Sequence, residues 1–187
     1  MSDAGGRERL LVAARNLFPR SSYAEVGVAQ LLEEAGVKAP TLYYHFGDKE
    51  GLFVAHVEQE LGSLGAHLRL LAQTHNSLQA ALADLASALA EFTAVDLEGA
   101  LEAGRKMRKP SHQERIQESY VRNVFEPIAS LLQSAMDRGE MRREPAGRLV
   151  VLFQSGALQL CSGRSDLAGR APSDWWAETF VRAFAAR

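Results

Sequence analysis

Gly27-Val28-Ala29-Gln30-Leu31-Leu32-Glu33-Glu34-Ala35-Gly36-Val37-Lys38-Ala39-Pro40-Thr41-Leu42-Tyr43-Tyr44-His45-Phe46 reads as two short helices joined by a tight turn. Val28, Leu31, Leu32 and Ala35 recur at helical spacing and make one apolar stripe. Gly36 follows the stripe, where a chain leaving a helix often needs positive φ and glycine supplies it without steric cost. Val37 plugs the elbow. Pro40 falls in the first turn of the second helix, where its missing N–H breaks no hydrogen bond. Leu42 and Phe46 lie four residues apart on one face and are expected in the core. The rest of that helix shows Lys38, Thr41, Tyr43, Tyr44 and His45, too many aromatic groups for a merely solvated face. The pattern fits a helix-turn-helix whose second helix lies in the major groove of DNA.

From Pro40 to His45, with Lys49 beyond, the stretch resembles the recognition helix of the TetR family of bacterial transcriptional regulators. The resemblance covers residues 7 to about 56; further on, only the order of helices matches. It implies an all-α fold of about nine helices. Residues 1–48 are expected as a three-helix DNA-binding domain with its motif at 27–46, and residues 49–187 as a helical effector-binding and dimerisation domain. It also implies roles. Pro40 and Tyr43 would make apolar contacts to bases, Thr41, His45 and Lys49 would bind phosphates, and Tyr44 could do either. Two positions depart from the pattern. Ala39 stands where the family's namesake repressor has a glutamine that reads a base edge, and Lys38 is new and could reach guanine O6 and N7. Gly27 replaces the usual Ser or Thr, so a hydroxyl at that helix start is absent.

The chain has 187 residues, 47% of them apolar, and a formal net charge of −2. No global basic field draws it to nucleic acid. By direct count the first 56 residues hold six basic groups (Arg7, Arg9, Arg15, Arg20, Lys38, Lys49) against seven acidic ones. DNA binding must therefore rest on local placement. The single cysteine, Cys161, cannot form an internal disulfide, and the first residues lack the apolar core of a signal peptide. A cytoplasmic setting is the expectation.

The remaining helices follow from their spacings. Residues 1–6 read as a tail and Arg7 to Phe18 as the first helix, with Arg7 or Arg9 near phosphate. A long helix from Lys49 to Ala72 carries Val57, Leu61, Leu64, Leu68 and Leu71 at steps of four and three. Asp48 suits its N-cap, while Lys49 is electrostatically out of place unless a phosphate lies nearby. Asn76 with Gln79, and Ser111 with Glu114, resemble capping boxes. Asp96 can cap a sixth helix, and Pro127 should kink the seventh. Phe92, Met107, Tyr120, Phe125 and Phe153 are candidates for an apolar effector pocket, each with a plain core role as the alternative.

In the eighth helix, Leu149, Leu152, Gly156 and Leu160 line one side. In the ninth, Trp175, Trp176, Phe180 and Phe184 exceed what one face of a final helix needs. A second copy of the chain would account for the excess, and pairing through the last two helices is what the resemblance implies.

No catalytic residue, metal ligand or cofactor motif is expected. The histidines His45, His56, His67, His75 and His112 form no close pair, and no acidic cluster or glycine-rich phosphate loop is visible. The reading is a DNA-binding regulator, most simply a homodimeric repressor that releases its operator when a small hydrophobic molecule binds. Its alternatives are an activator or ligand-independent regulator, and a helical small-molecule carrier with no DNA binding. An all-helical enzyme is the remaining rival.

Overall fold

The computed structural model describes residues 4–20, 23–92, 97–161 and 169–186. Nine helices cover most of these residues: α1 (Ala4–Leu17), α2 (Val28–Ala35), α3 (Ala39–Phe46), α4 (Lys49–Thr74), α5 (Leu78–Glu91), α6 (Leu97–Arg105), α7, α8 (Ala146–Cys161) and α9 (Pro172–Phe184). Helix α7 is Pro110–Tyr120, a π turn at Val121–Phe125, then Glu126–Asp137. An isolated bridge pairs Met141 with Ala185. No helix of the described residues is long and apolar enough to cross a membrane.

The chain divides into two compact units, residues 1–62 with 93–120, and residues 63–92 with 121–187. Helices α4 and α7 each run from one unit into the other.

In the first unit, α1 packs on α2 and α3 around Leu10, Leu11, Ala14, Val26, Leu31, Leu42 and Leu52, all buried. Burying each of these leucines fully contributes about 1.5–3 kcal/mol. Helix α1 starts earlier than the sequence suggests: Ala4, Gly5 and Gly6 are helical, not tail. The reason is local, because Gly6 lies against α3, and a Cβ there would stand 2.7 Å from Thr41 Cγ2. Phe18–Arg20 form a single 3-10 turn at Pro19, where the helix was expected to stop.

In the second unit, α5 is the central helix and packs on α8 and α9. Leu78, Leu82, Leu85 and Leu89 are buried, as their spacing predicts. Its N-cap is Ser77, not Asn76, and no side chain caps it. The predicted cap at Asp96 lies outside the described residues, as does most of the loop before α9. Helix α7 starts at Pro110, so Ser111 is inside the first turn and is not its cap. Gln113 instead donates from its Nε2 to the Met107 carbonyl at 2.7 Å.

The irregularity expected at Pro127 is real and takes a definite form. Pro127 lacks the N–H that would bond one turn back, and the five residues before its turn adopt π geometry. Gly65 in α4 admits this turn: a Cβ there would lie 2.7 Å from both Asn123 Cβ and its carbonyl oxygen. One turn along, Arg69 donates to the Arg122 carbonyl and to Asn123 Oδ1, both at 3.4 Å.

Candidate nucleic-acid interface

The two-helix motif is held rigidly from behind. Gly36 takes φ 58°, ψ 39°, and its N–H donates to the Glu33 and Leu32 carbonyls, closing α2. At the other end of α2 the missing hydroxyl of Gly27 is offset by Gln30, whose Oε1 accepts from the Gly27 N–H at 2.8 Å. The sequence offered that signal, a glutamine three residues after the cap, but it is easily passed over when the cap is glycine. Leu42 is fully buried, and Phe46 packs on the same core with the Arg7 guanidinium 5.6 Å from its ring centre. Arg7, expected near phosphate, thus holds the end of α3.

The opposite side of α3 is free of the fold. Tyr43 is 54% exposed and Tyr44 74% exposed, and Lys38 and Pro40 are exposed beside them. Ala39, Thr41 and His45 are half-buried at the margin. Ala39, Pro40, Thr41, Tyr43, Tyr44 and His45 therefore share one face and one edge of a single eight-residue helix, with Lys38 at its N-cap.

Lys49 is placed differently from its neighbours. Its Nζ donates to the Val26 carbonyl at 2.7 Å and lies 4.2 Å from the centre of the Tyr23 ring. Partial burial lowers its pKa, and burial with the nearby Glu50 and Asp48 charges pushes the Tyr23 hydroxyl up to about 12. An intrachain acceptor and a π face, which the sequence did not reveal, account for a lysine at a helix start.

Directly behind α3, Asp48 caps α4 by accepting from the Gly51 N–H at 2.8 Å, and its other oxygen meets Lys109 Nζ at 2.8 Å. Glu50 is 5% exposed, and its Oε1 accepts from the Arg108 N–H at 3.1 Å. Burial acts to raise the pKa of both carboxyls. For Glu50, the Arg108 hydrogen bonds and charge outweigh it; for Asp48, Lys109 and the Gly51 N–H do. Both remain charged. Further along α4, His56 is buried against Phe18, and desolvation depresses its pKa to about 4.

The predicted pocket residues are divided between the two units. Met107 and Phe153 are buried core residues, and Phe92, Tyr120 and Phe125 are half-buried, with Met107 and Tyr120 in the first unit and the others in the second. A cavity of about 290 Å³ lies elsewhere, between α6 and α7, lined by Leu101, Gly104, Arg105, Gln113, Glu114, Ile116 and Gln117. None of the five aromatic or methionine candidates touches it. Periodicity could not separate core from pocket, because both demand apolar side chains.

The expected partner surface is also redistributed. Leu149 and Phe180 are buried within the protomer and cannot face a second copy. Trp176 packs inward too: its indole N–H donates to the Phe153 carbonyl at 3.0 Å, and its ring fills the space left by Gly156. Trp175, Leu160 and Phe184 are half-buried, and the Phe184 ring packs at a tilt against Phe180. Leu152 remains exposed, together with Val151, which the sequence reading passed over.

A rigid helical hairpin with a bare aromatic face defines a protein of the helix-turn-helix class. Residues 10–56 match the family described as bacterial regulatory proteins, tetR family. It is 39% identical over 92 residues to the HTH-type transcriptional repressor ComR of Escherichia coli, covering 48% of this chain and 44% of that protein. It is 29% identical over 93 residues to the HTH-type transcriptional activator FasR of Mycolicibacterium smegmatis, covering 50% and 42%. The chain thus spans less than half the length of these curated relatives. Its fold matches a tetR-family regulatory protein from Rhodococcus RHA1 with a TM-score of 0.74 at 14% identity, covering 97% of this chain and 98% of that one. The two curated relatives carry the names of transcriptional regulators, one a repressor and one an activator.

Proposed function

We propose that the chain is an operator-binding transcriptional regulator that works as a homodimer and releases DNA when a small hydrophobic molecule binds its C-terminal helices. The observation that carries the reading is the face of α3, where two tyrosines stand exposed on a helix whose other side is fully packed. Such side chains contribute little to the fold, whereas in a major groove Tyr43 and Pro40 meet thymine methyl groups and Lys38 reaches a guanine edge. Thr41 and His45 flank them at phosphate distance from the groove. Lys49 reaches a phosphate by exchanging its Val26 carbonyl. Ala39 leaves one base edge unread.

Pairing of two copies through α8 and α9 is supported by exposed Val151 and Leu152, with Leu160 and Trp175 beside them. Two recognition helices then meet half-sites about one turn of DNA, roughly 34–36 Å, apart. An effector that prefers another separation lowers operator affinity by its differential binding, about 1–3 kcal/mol in coupled systems, and α4, common to both units, carries the signal. The cavity between α6 and α7 is a place for part of such an effector. Activation in place of repression is a second reading, favoured by the similarity to FasR.

The test is a fluorescence-anisotropy titration of labelled duplex from the gene's own promoter region, at two salt concentrations. Two protomers per duplex and an affinity that falls steeply with salt support the reading. Absence of salt-sensitive binding to any upstream fragment rejects it in favour of a carrier or interaction protein.

A further inference from the structure

Behind the recognition helix, three groups capable of binding a metal converge from distant parts of the chain. Asp48 and Glu50 stand at the start of α4, and His112 is in the first turn of α7, all within the first unit. One ligand atom from each lies within 4.8 Å of the other two. His112 Nδ1 and Glu50 Oε2 face each other at 3.4 Å. Both atoms are buried and neither makes a hydrogen bond. Their residues are only 8% and 5% exposed.

Two polar atoms this close, both buried and without a hydrogen bond, call for a positive centre between them. A proton on the imidazole is one such centre, and a metal ion is the other. The spacing suits a metal: two ligands each about 2.0–2.1 Å from a tetrahedral ion stand about 3.3 Å apart. The third ligand, the Asp48 carboxylate, is engaged by Lys109, whose side chain is half exposed and can swing into solvent. Arg108 holds the other oxygen of Glu50, Oε1, and so fixes the carboxylate without blocking Oε2.

We propose that Asp48, Glu50 and His112 form a binding site for a divalent first-row transition ion, with His112 Nδ1 and Glu50 Oε2 as the inner pair and the Asp48 carboxylate completing the set in exchange for the Lys109 ammonium. One imidazole nitrogen and two carboxylates suit Zn²⁺ and its neighbours and disfavour Mg²⁺, which demands an octahedron of oxygens. Three protein ligands leave a fourth position for water or a small anion. Asp48 also caps α4 immediately after α3, so metal binding severs the ion pair between that cap and Lys109 just before α7. Operator affinity then changes with metal. That consequence rests on the operator-binding reading, whereas ion binding itself does not.

The test is calorimetric titration of the untagged full chain with Zn²⁺ at neutral pH, without DNA, and with Mg²⁺ in parallel. Wild type should bind one Zn²⁺ per chain and no Mg²⁺. His112→Ala and Glu50→Gln should each weaken binding by more than about tenfold. Lys109→Ala should tighten it, because the competing ammonium is gone; this variant keeps the three ligands and reads the site even if Glu50→Gln fails to fold. Undetectable Zn²⁺ binding to wild type overturns the proposal and leaves a proton as the bridging centre. Binding left unchanged by His112→Ala, or not tightened by Lys109→Ala, overturns it as well. A promoter titration with and without Zn²⁺ follows only if the ion binds, so failure of the metal site and failure of operator binding are read separately.

Discussion

The aromatic residues of α3 and those of α8 and α9 are alike in chemistry and opposite in placement. Tyr43 and Tyr44 point away from a fully packed helix, while Phe153, Trp176 and Phe180 pack on one another inside the second unit, one pair stacked and two edge-to-face, with ring centres 5.2–6.5 Å apart. An aromatic ring buried this way is worth several kcal/mol to the fold. An exposed one contributes little, so its presence on a small rigid helix needs another explanation. The comparison separates groups that make the structure from groups that the structure presents.

The largest expected break in that contrast is Phe153→Ala. Removing a fully buried ring should destabilise the chain by about 3–5 kcal/mol, read as a drop in the midpoint of urea unfolding. Next comes acid. His56 is neutral in the fold, with a pKa near 4 against an ordinary 6.5. The unfolded chain therefore binds a proton that the fold refuses, and stability must fall as pH drops from 6.5 to about 4, by at most about 3 kcal/mol. Replacing it with glutamine should flatten the dependence of melting temperature on pH in that window. Asp48 and Glu50, with pKa values below the carboxylate norm, lose their contributions only at lower pH. Gly156→Ala should cost about 1–3 kcal/mol by overpacking, since the new Cβ would stand 2.2 Å from Trp176 Cζ2. Smallest of all, Tyr44→Ala should change stability by no more than about 0.5 kcal/mol.

The parts legible in sequence were those governed by local rules. The hairpin at 27–46 was readable because helical spacing, a positive-φ glycine and an early proline all agree there. The seams of α4 and α5 followed from leucine spacing alone. What was not legible depended on where distant residues meet. Lys49 looked unsatisfied because its acceptor, the Val26 carbonyl, is 23 positions away and is backbone. The cluster of Asp48 and Glu50 with His112 brings together positions about 60 apart, so no local motif could announce it. The aromatic surplus of α9 is real, but Phe180 is buried in the core and Trp176 is absorbed at Gly156, whose missing side chain makes room for an indole. A small residue on one helix and a large one on another are complementary only once the fold sets them face to face.

The central claim, that α3 presents its tyrosines for DNA and not for the fold, is tested most directly by Tyr43→Ala examined in two ways. Its urea unfolding and its titration against labelled promoter duplex are measured side by side with wild type. The account predicts an unchanged unfolding midpoint and an operator affinity lower by about 1–3 kcal/mol, roughly five- to 150-fold. Unaltered DNA binding, or a loss of stability large enough to explain the loss of binding, would contradict it.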